Sequence, residues 1–280
     1  MKAILKKLFA AVLLLVFVTS CTNDDDATPI AETHNLKKIQ ELENTDHIVE
    51  LYTENTRLEQ GFNTISLKIK DKKTNVFIEN ASVNWLPMMH MTTMQHSCPY
   101  SEVQKTSGST FYKGYIVFQM AQNETEYWSL TINYTINDTK YTVSDKIQVF
   151  PSNKQRVKTF VGTDNAKYVV ALHEPLAPKV AVNDISMALF KMEDMMRFSV
   201  VDDYTIKIDP RMPSMGNHGS PNNVHLTQGT DGFYHGKLSL TMTGYWKINL
   251  QVLNKENQVL KGEEVTAEHS ESSLYLEIEF

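Results

Sequence analysis

From His47 onward, hydrophobic and polar residues alternate along most of the chain. Ile65, Leu67 and Ile69 alternate with Ser66, Lys68 and Lys70, the period of a strand with one buried face. A polar turn, Asp71 to Asn75, follows, and Val83 and Trp85 resume the pattern. Tyr115 to Met120, Trp128 to Tyr134 and Tyr141 to Phe150 repeat it before Pro151. Further strands are expected at Ile185 to Phe190, Tyr204 to Ile208, Leu238 to Met242, Trp246 to Leu250 and Leu274 to Ile278. The stretch Ala188 to Met192 is expected to be partly irregular. Short strands separated by turns predict an all-β protein of antiparallel sandwiches. No long amphipathic helix is indicated, and one short helical piece is expected around Leu36 to Leu42.

The pattern occurs twice. Phe111-Tyr-Lys-Gly114 matches Phe233-Tyr-His-Gly236 at a separation of 122, and Met120 matches Met242, His96 matches His218 and Pro99 matches Pro221 at the same distance. Met91 and Met94 match Met212 and Met215 at 121, Trp128 matches Trp246 at 118, and Ile65 matches Ile185 at 120. Matches that keep their order over such a span predict two tandem copies of one domain. The organisation expected is a signal peptide at 1–20, a tether at 21–45, a first sandwich at 46–152 and a second at 158–280.

Each copy carries the same unusual chemistry. Asp209 to Pro221 holds Met212, Met215 and His218, and its twin Pro87 to Pro99 holds Met91, Met94 and His96. Both stretches read as loops, because Pro and Gly interrupt them, and Met120 or Met242 is expected on a facing strand. Thioether sulfur and imidazole are ligands for soft metals, copper(I) above all. Zinc would call for Cys and His in sets of four, and calcium for oxygen donors. The candidate ligands are therefore Met212, Met215, His218 and Met242 in one copy, and Met91, Met94, His96 and Met120 in the other. His90 and Cys98 are additional candidates without counterparts, since Ser220 stands opposite Cys98. Met88, Met89, Met187, Met192, Met195 and Met196 read as packing, the usual employment of methionine. His225 and His235 read as surface residues.

Composition narrows the setting. Lys2, Lys6 and Lys7 precede an apolar run from Leu8 to Val18, too short to span a bilayer and suited to a secretory signal. Val18-Thr-Ser-Cys21 resembles a bacterial lipobox, which makes Cys21 the expected lipidated residue and the membrane the first partner. Asp24 to Asp26 resemble the acidic signal that sends some Bacteroidetes lipoproteins to the cell surface. The net charge of −6 argues against nucleic acid, which selects basic patches. With Cys21 lipidated, Cys98 is the remaining thiol of two, so no disulfide framework is expected. No nucleophile elbow, phosphate-binding glycine loop or zinc-protease helix motif is present, which predicts a protein without catalysis.

The set Met212, Pro213, Met215, Gly216, His218, Gly232, Tyr234, Gly236, Met242, Gly244 and Trp246 resembles the YtkA-like family of small exported domains. The likeness runs from about Ile185 to Val252 and is looser in the first copy, where Ala121-Gln122 replaces the glycine before Trp128 and Ser109 replaces a turn glycine. It implies immunoglobulin-like sandwiches and a part in copper handling. The expected protein is a copper(I)-binding lipoprotein of the cell envelope, at the outer membrane on its periplasmic or outer face. It would buffer the metal or deliver it to a copper transporter, an oxidase or another envelope protein. The competing expectations are a structural or adhesion module without metal, and an accessory subunit of a respiratory copper enzyme.

Overall fold

The computed structural model describes residues 35–280; the segment expected to be a signal peptide and Cys21 lie outside them. The first sandwich contains β1 (Lys37–Glu43), β2 (His47–Thr53), β3 (Leu58–Glu59), β4 (Gly61–Asp71), β5 (Ser82–His90), β6 (Gln95–His96) and β7 (Gln104–Lys105). It continues through β8 (Tyr112–Phe118), β9 (Tyr127–Ile136), β10 (Thr139–Ile147) and β11 (Val149–Phe150). One sheet runs β1-β2-β4-β8-β7 and faces another running β10-β9-β5-β6, while β11 lies parallel to β3. In the strand lettering of immunoglobulin domains, β4-β8-β7 correspond to B-E-D and β10-β9-β5 to G-F-C. Trp85, Trp128, Tyr112 and Leu130 fill the space between the sheets.

The second sandwich contains β12 (Val157–Val161), β13 (Lys167–Glu174), β14 (Ala181–Met192), β15 (Phe198–Val200), β16 (Thr205–Met212) and β17 (His218–Gly219). β18 (Val224–Gln228), β19 (Tyr234–Leu240), β20 (Tyr245–Leu253), β21 (Val259–Lys261) and β22 (Tyr275–Glu279) complete it. The path β12-β13-β14-β19-β18 repeats β1-β2-β4-β8-β7, and β16, with β17 on one side and β20 on the other, repeats β5, β6 and β9; here β18 also pairs with β16, so the two layers join in one continuous sheet. The chain is thus two tandem immunoglobulin-like antiparallel sandwiches. Among the described residues, no helix is long and apolar enough to cross a membrane.

Two elements differ from expectation. Lys37–Glu43 is a strand of the first sheet, not a helix, so the fold begins before residue 46. Its Ile39 and Leu42 are three apart, a helical spacing, yet both pack on the core. A register shift between Lys38 and Gln40 explains this: the extra residue of a bulge brings positions of opposite parity to one face. Ala188 to Met192 is regular strand, paired with β13 and, from Phe190 to Met192, also with β15.

The Phe-Tyr-x-Gly repeat is structural. The Tyr112 hydroxyl accepts a hydrogen bond from Ala81 N at 2.9 Å and donates to Ile78 O at 3.3 Å. The Tyr234 hydroxyl donates to Val201 O at 2.6 Å and accepts from Tyr204 N at 3.3 Å. Each buried tyrosine therefore ties down the loop leading into β5 or β16. Gly114 is required beside Trp85, since a Cβ there would stand 2.6 Å from the indole ring.

The sandwiches dock through the outer faces of their sheets. Val117 of β8 packs with Val157, Val169, Ala171, Ala188 and Phe190, flanked by Phe62, Tyr115, Phe198 and Phe233. His173 lies between Phe62 and Phe233, with ring centroids at 4.5 and 4.8 Å, and its Nδ1 is 3.1 Å from Ser186 Oγ. Burial lowers its pKa from the ordinary 6.5, and Arg156 and His235 act in the same direction, against Glu174 and Asp231. The docked state thus favours neutral imidazole, so its contribution is fully present above about pH 6.5 and declines as pH falls toward the depressed value. Thermal unfolding of wild type should show this acid-side loss of stability, and His173→Gln should flatten it; an unchanged slope in the variant would refute the assignment.

Candidate functional site

The methionine stretches are β-hairpins. Pro87 to His90 lie in β5 and Asp209 to Met212 in β16, so half of each supposed loop is strand. Proline is tolerated in β5 because its carbonyl, and hence its missing N–H, points away from β9, to the side where the ladder with β6 has already ended. There the Ser97 hydroxyl donates to Pro87 O at 2.8 Å. The chain turns and returns as β6 or β17, with Met89 opposite His96 and Met212 opposite His218. In the second hairpin the turn is a short 3-10 segment, Pro213–Met215, closed by Gly216 at φ 64°.

This register changes the correspondence between the copies. The structural partner of Met212 is Met89, a residue read as packing, rather than Met91. Both lie in the cores of their sandwiches: Met89 is 0% and Met212 2% exposed. Met94 and Met215 are the turn residues and are 43% and 56% exposed. Met91 is half-buried against the first core, and its N–H donates to Met94 O at 2.9 Å. Met120 and Met242 sit just beyond the ends of β8 and β19, in the following loops rather than on the strands. Both are half-buried against their cores.

A tryptophan organises each set. Trp128 Nε1 donates to Met120 O and Trp246 Nε1 to Met242 O, both at 3.0 Å. Trp128 is paired across the sheet with Met89, and the His96 ring meets it edge-on at 5.9 Å. In the second copy, a Cβ added at Gly244 would lie 3.1 Å from Met212 Cε, which places that thioether beside the loop carrying Met242. Gly244, at φ 121°, also has a conformation that suits glycine alone. In the first copy Trp128 thus meets the His96 ring and the backbone of Met120, with Met89 as its cross-strand partner; in the second, Trp246 is bonded to the backbone of Met242, and Met212 is paired with an exposed His218.

The added candidates stay apart from these sets. His90 follows Met89 on β5 and so faces the other side of the sheet. It stacks on Tyr127 at 4.6 Å, with Nε2 2.8 Å from Ser129 Oγ. Cys98 is fully buried in the first core, and burial pushes its thiol pKa up, which disfavours the thiolate that metals bind. His225 Nδ1 accepts from Ile208 N at 3.2 Å and His235 Nε2 is 2.9 Å from Asp231, so both serve the local frame.

Among the described residues, no three His, Cys, Asp or Glu side chains gather as a metal set; the donors the hairpins offer are thioethers and one imidazole each, a chemistry that suits soft ions over hard ones. His96 Nδ1 donates to Ser97 O at 2.7 Å; this fixes the ring and leaves Nε2 as the lone-pair nitrogen, the usual support for a ligating histidine. Trp128 and Trp246 were not anticipated as organisers; their shared place after the loop methionines was the available signal.

No family model matches this sequence, and no curated protein matches it. Among solved structures, the chain is similar to one titled "Anomalous substructure of Titin-A168169", at 10% identity over 78% of this chain and 94% of that one, with a TM-score of 0.19. The immunoglobulin-like assignment rests on the strand order described above.

Proposed function

We propose that this protein is an exported, lipid-anchored copper(I)-binding protein that buffers or delivers the metal through the methionine hairpin of each sandwich. The observation that supports this reading is the hairpin repeated in each copy, with a methionine paired to a histidine and a nearby buried tryptophan bonded to the carbonyl of a loop methionine. Met94, His96 and Met120, with Met91 beside them, would hold the ion in the first domain. Met215, His218 and Met242 would do so in the second. Met89 and Met212 form the floor of each set. Thioether and imidazole donors suit copper(I) and discriminate against hard ions. The sequence resemblance to YtkA-like domains and the lipobox at Cys21 support the same reading and the envelope location. The immunoglobulin-like frame is consistent with binding rather than catalysis.

The test is titration of the chain from Thr22 onward with copper(I) against a competing chelator. Binding tighter than about 1 μM is expected, equivalent to roughly 8 kcal/mol. Met94→Ala/His96→Ala and Met215→Ala/His218→Ala should each remove one site while circular dichroism stays unchanged. Wild-type binding no tighter than that of the two variants combined would favour a metal-free structural module instead.

A further inference from the structure

The turn between β14 and β15 belongs to the second sandwich but reaches the methionine hairpin of the first. Ser97 N, adjoining His96, donates to Met195 O at 2.8 Å. This bond joins the two hairpins across the domain boundary. Met195 and Met196 are 41% and 37% exposed, close to the value for Met94. Three half-exposed methionines thus belong to two turns held together at the junction. Exposed thioethers gain little from the hydrophobic effect, and their value at a surface is adaptability and donor capacity.

The turn is also braced. Asp194 Oδ1 accepts from Met196 N at 2.7 Å and from Arg197 N at 2.9 Å, while Asp194 Oδ2 accepts from Arg197 Nε at 2.7 Å. Glu193 N closes it by donating to Arg197 O at 2.9 Å. The two methionines are therefore presented from an ordered tip. The outer-face docking around Val117 and His173, together with the Ser97–Met195 bond, holds that tip against the first domain.

We propose that the first copper site is shared between the domains, with Met195 and Met196 adding thioether donors to Met94 and His96. The second hairpin lacks this contribution: its turn meets instead the segment near Ser270, whose carbonyl accepts from Asn217 Nδ2 at 2.8 Å. The two sites are thus unequal, the shared one filling first and clasping the sandwiches together. This inference rests on the soft-metal reading of the hairpins, and its test separates the two.

The chain from Thr22 onward, labelled with 13C at the methionine methyls, would be titrated with silver(I), a redox-inert soft ion. At the first equivalent the Met94, Met195 and Met196 signals are expected to shift together, before that of Met215. Met195→Ala/Met196→Ala, which alters exposed side chains, should weaken the first site by about tenfold or more and leave the Met215 response intact. Shifts at Met94 without shifts at Met195 and Met196 would overturn the shared site while sparing the hairpin reading. Silver that moves no methionine signal would overturn both.

Discussion

Met212→Ala is expected to destabilise the second sandwich by about 2–5 kcal/mol, whereas Met215→Ala should change its stability by less than about 0.5 kcal/mol. The two residues are three apart in one motif, yet Met212 is packed in the core with Trp246 and Ile248 while Met215 projects from the turn. Removing the buried thioether forfeits its transfer free energy and leaves a cavity beside Gly244. Urea denaturation of both variants measures the difference. Equal effects would mean that the hairpin register, with Met212 opposite His218, is wrong. The contrast also decides how ligand substitutions are read: loss of metal in Met212→Ala would be confounded with loss of the domain, while loss in Met215→Ala would not.

Val117→Asp should undock the sandwiches and leave each one folded. Val117 is fully buried, and it packs against the second domain rather than in its own core. An aspartate there would place a carboxylate among Val169, Ala171 and Phe190, at a cost of about 3–5 kcal/mol for an unpaired buried charge. Small-angle scattering should show an extended particle, and proteolysis should cut between 151 and 156. Circular dichroism should keep its strand signal. A compact variant as protease-resistant as wild type would show that the domains are joined by other contacts. By the shared-site proposal, the same variant should also lose the early silver response of Met195 and Met196.

Much of the fold was legible because strands with one buried face announce themselves by alternation, as Ile65 to Ile69 and Trp246 to Leu250 do. The tandem repeat was legible because Tyr112 and Tyr234, with Gly114 and Gly236, meet steric and hydrogen-bonding demands that few other residues satisfy. Lys37–Glu43 was misread because a bulge converts a helical spacing of Ile39 and Leu42 into a common face. The hairpins were misread as loops because proline signals a break, and only the strand pairing shows that Pro87 sits with its missing N–H away from β9. The pairing also changes the correspondence between the copies: Met91 aligns with Met212 in sequence, while Met89 stands opposite His96 as Met212 stands opposite His218. The approach of Met195 to Ser97 depends on the docking of two domains, a relation that no local pattern records. Cys98 and His90 lie next to the other candidates in sequence, but strand parity sends His90 to the other face and burial takes Cys98 into the core.

The most direct test of thioether and imidazole binding is X-ray absorption at the copper edge, on the chain from Thr22 onward loaded with copper(I). The account predicts a first coordination shell of sulfur with one imidazole nitrogen, with the sulfur contribution reduced in Met94→Ala/Met215→Ala. A shell of oxygen and nitrogen alone, or copper lost on desalting, would contradict it.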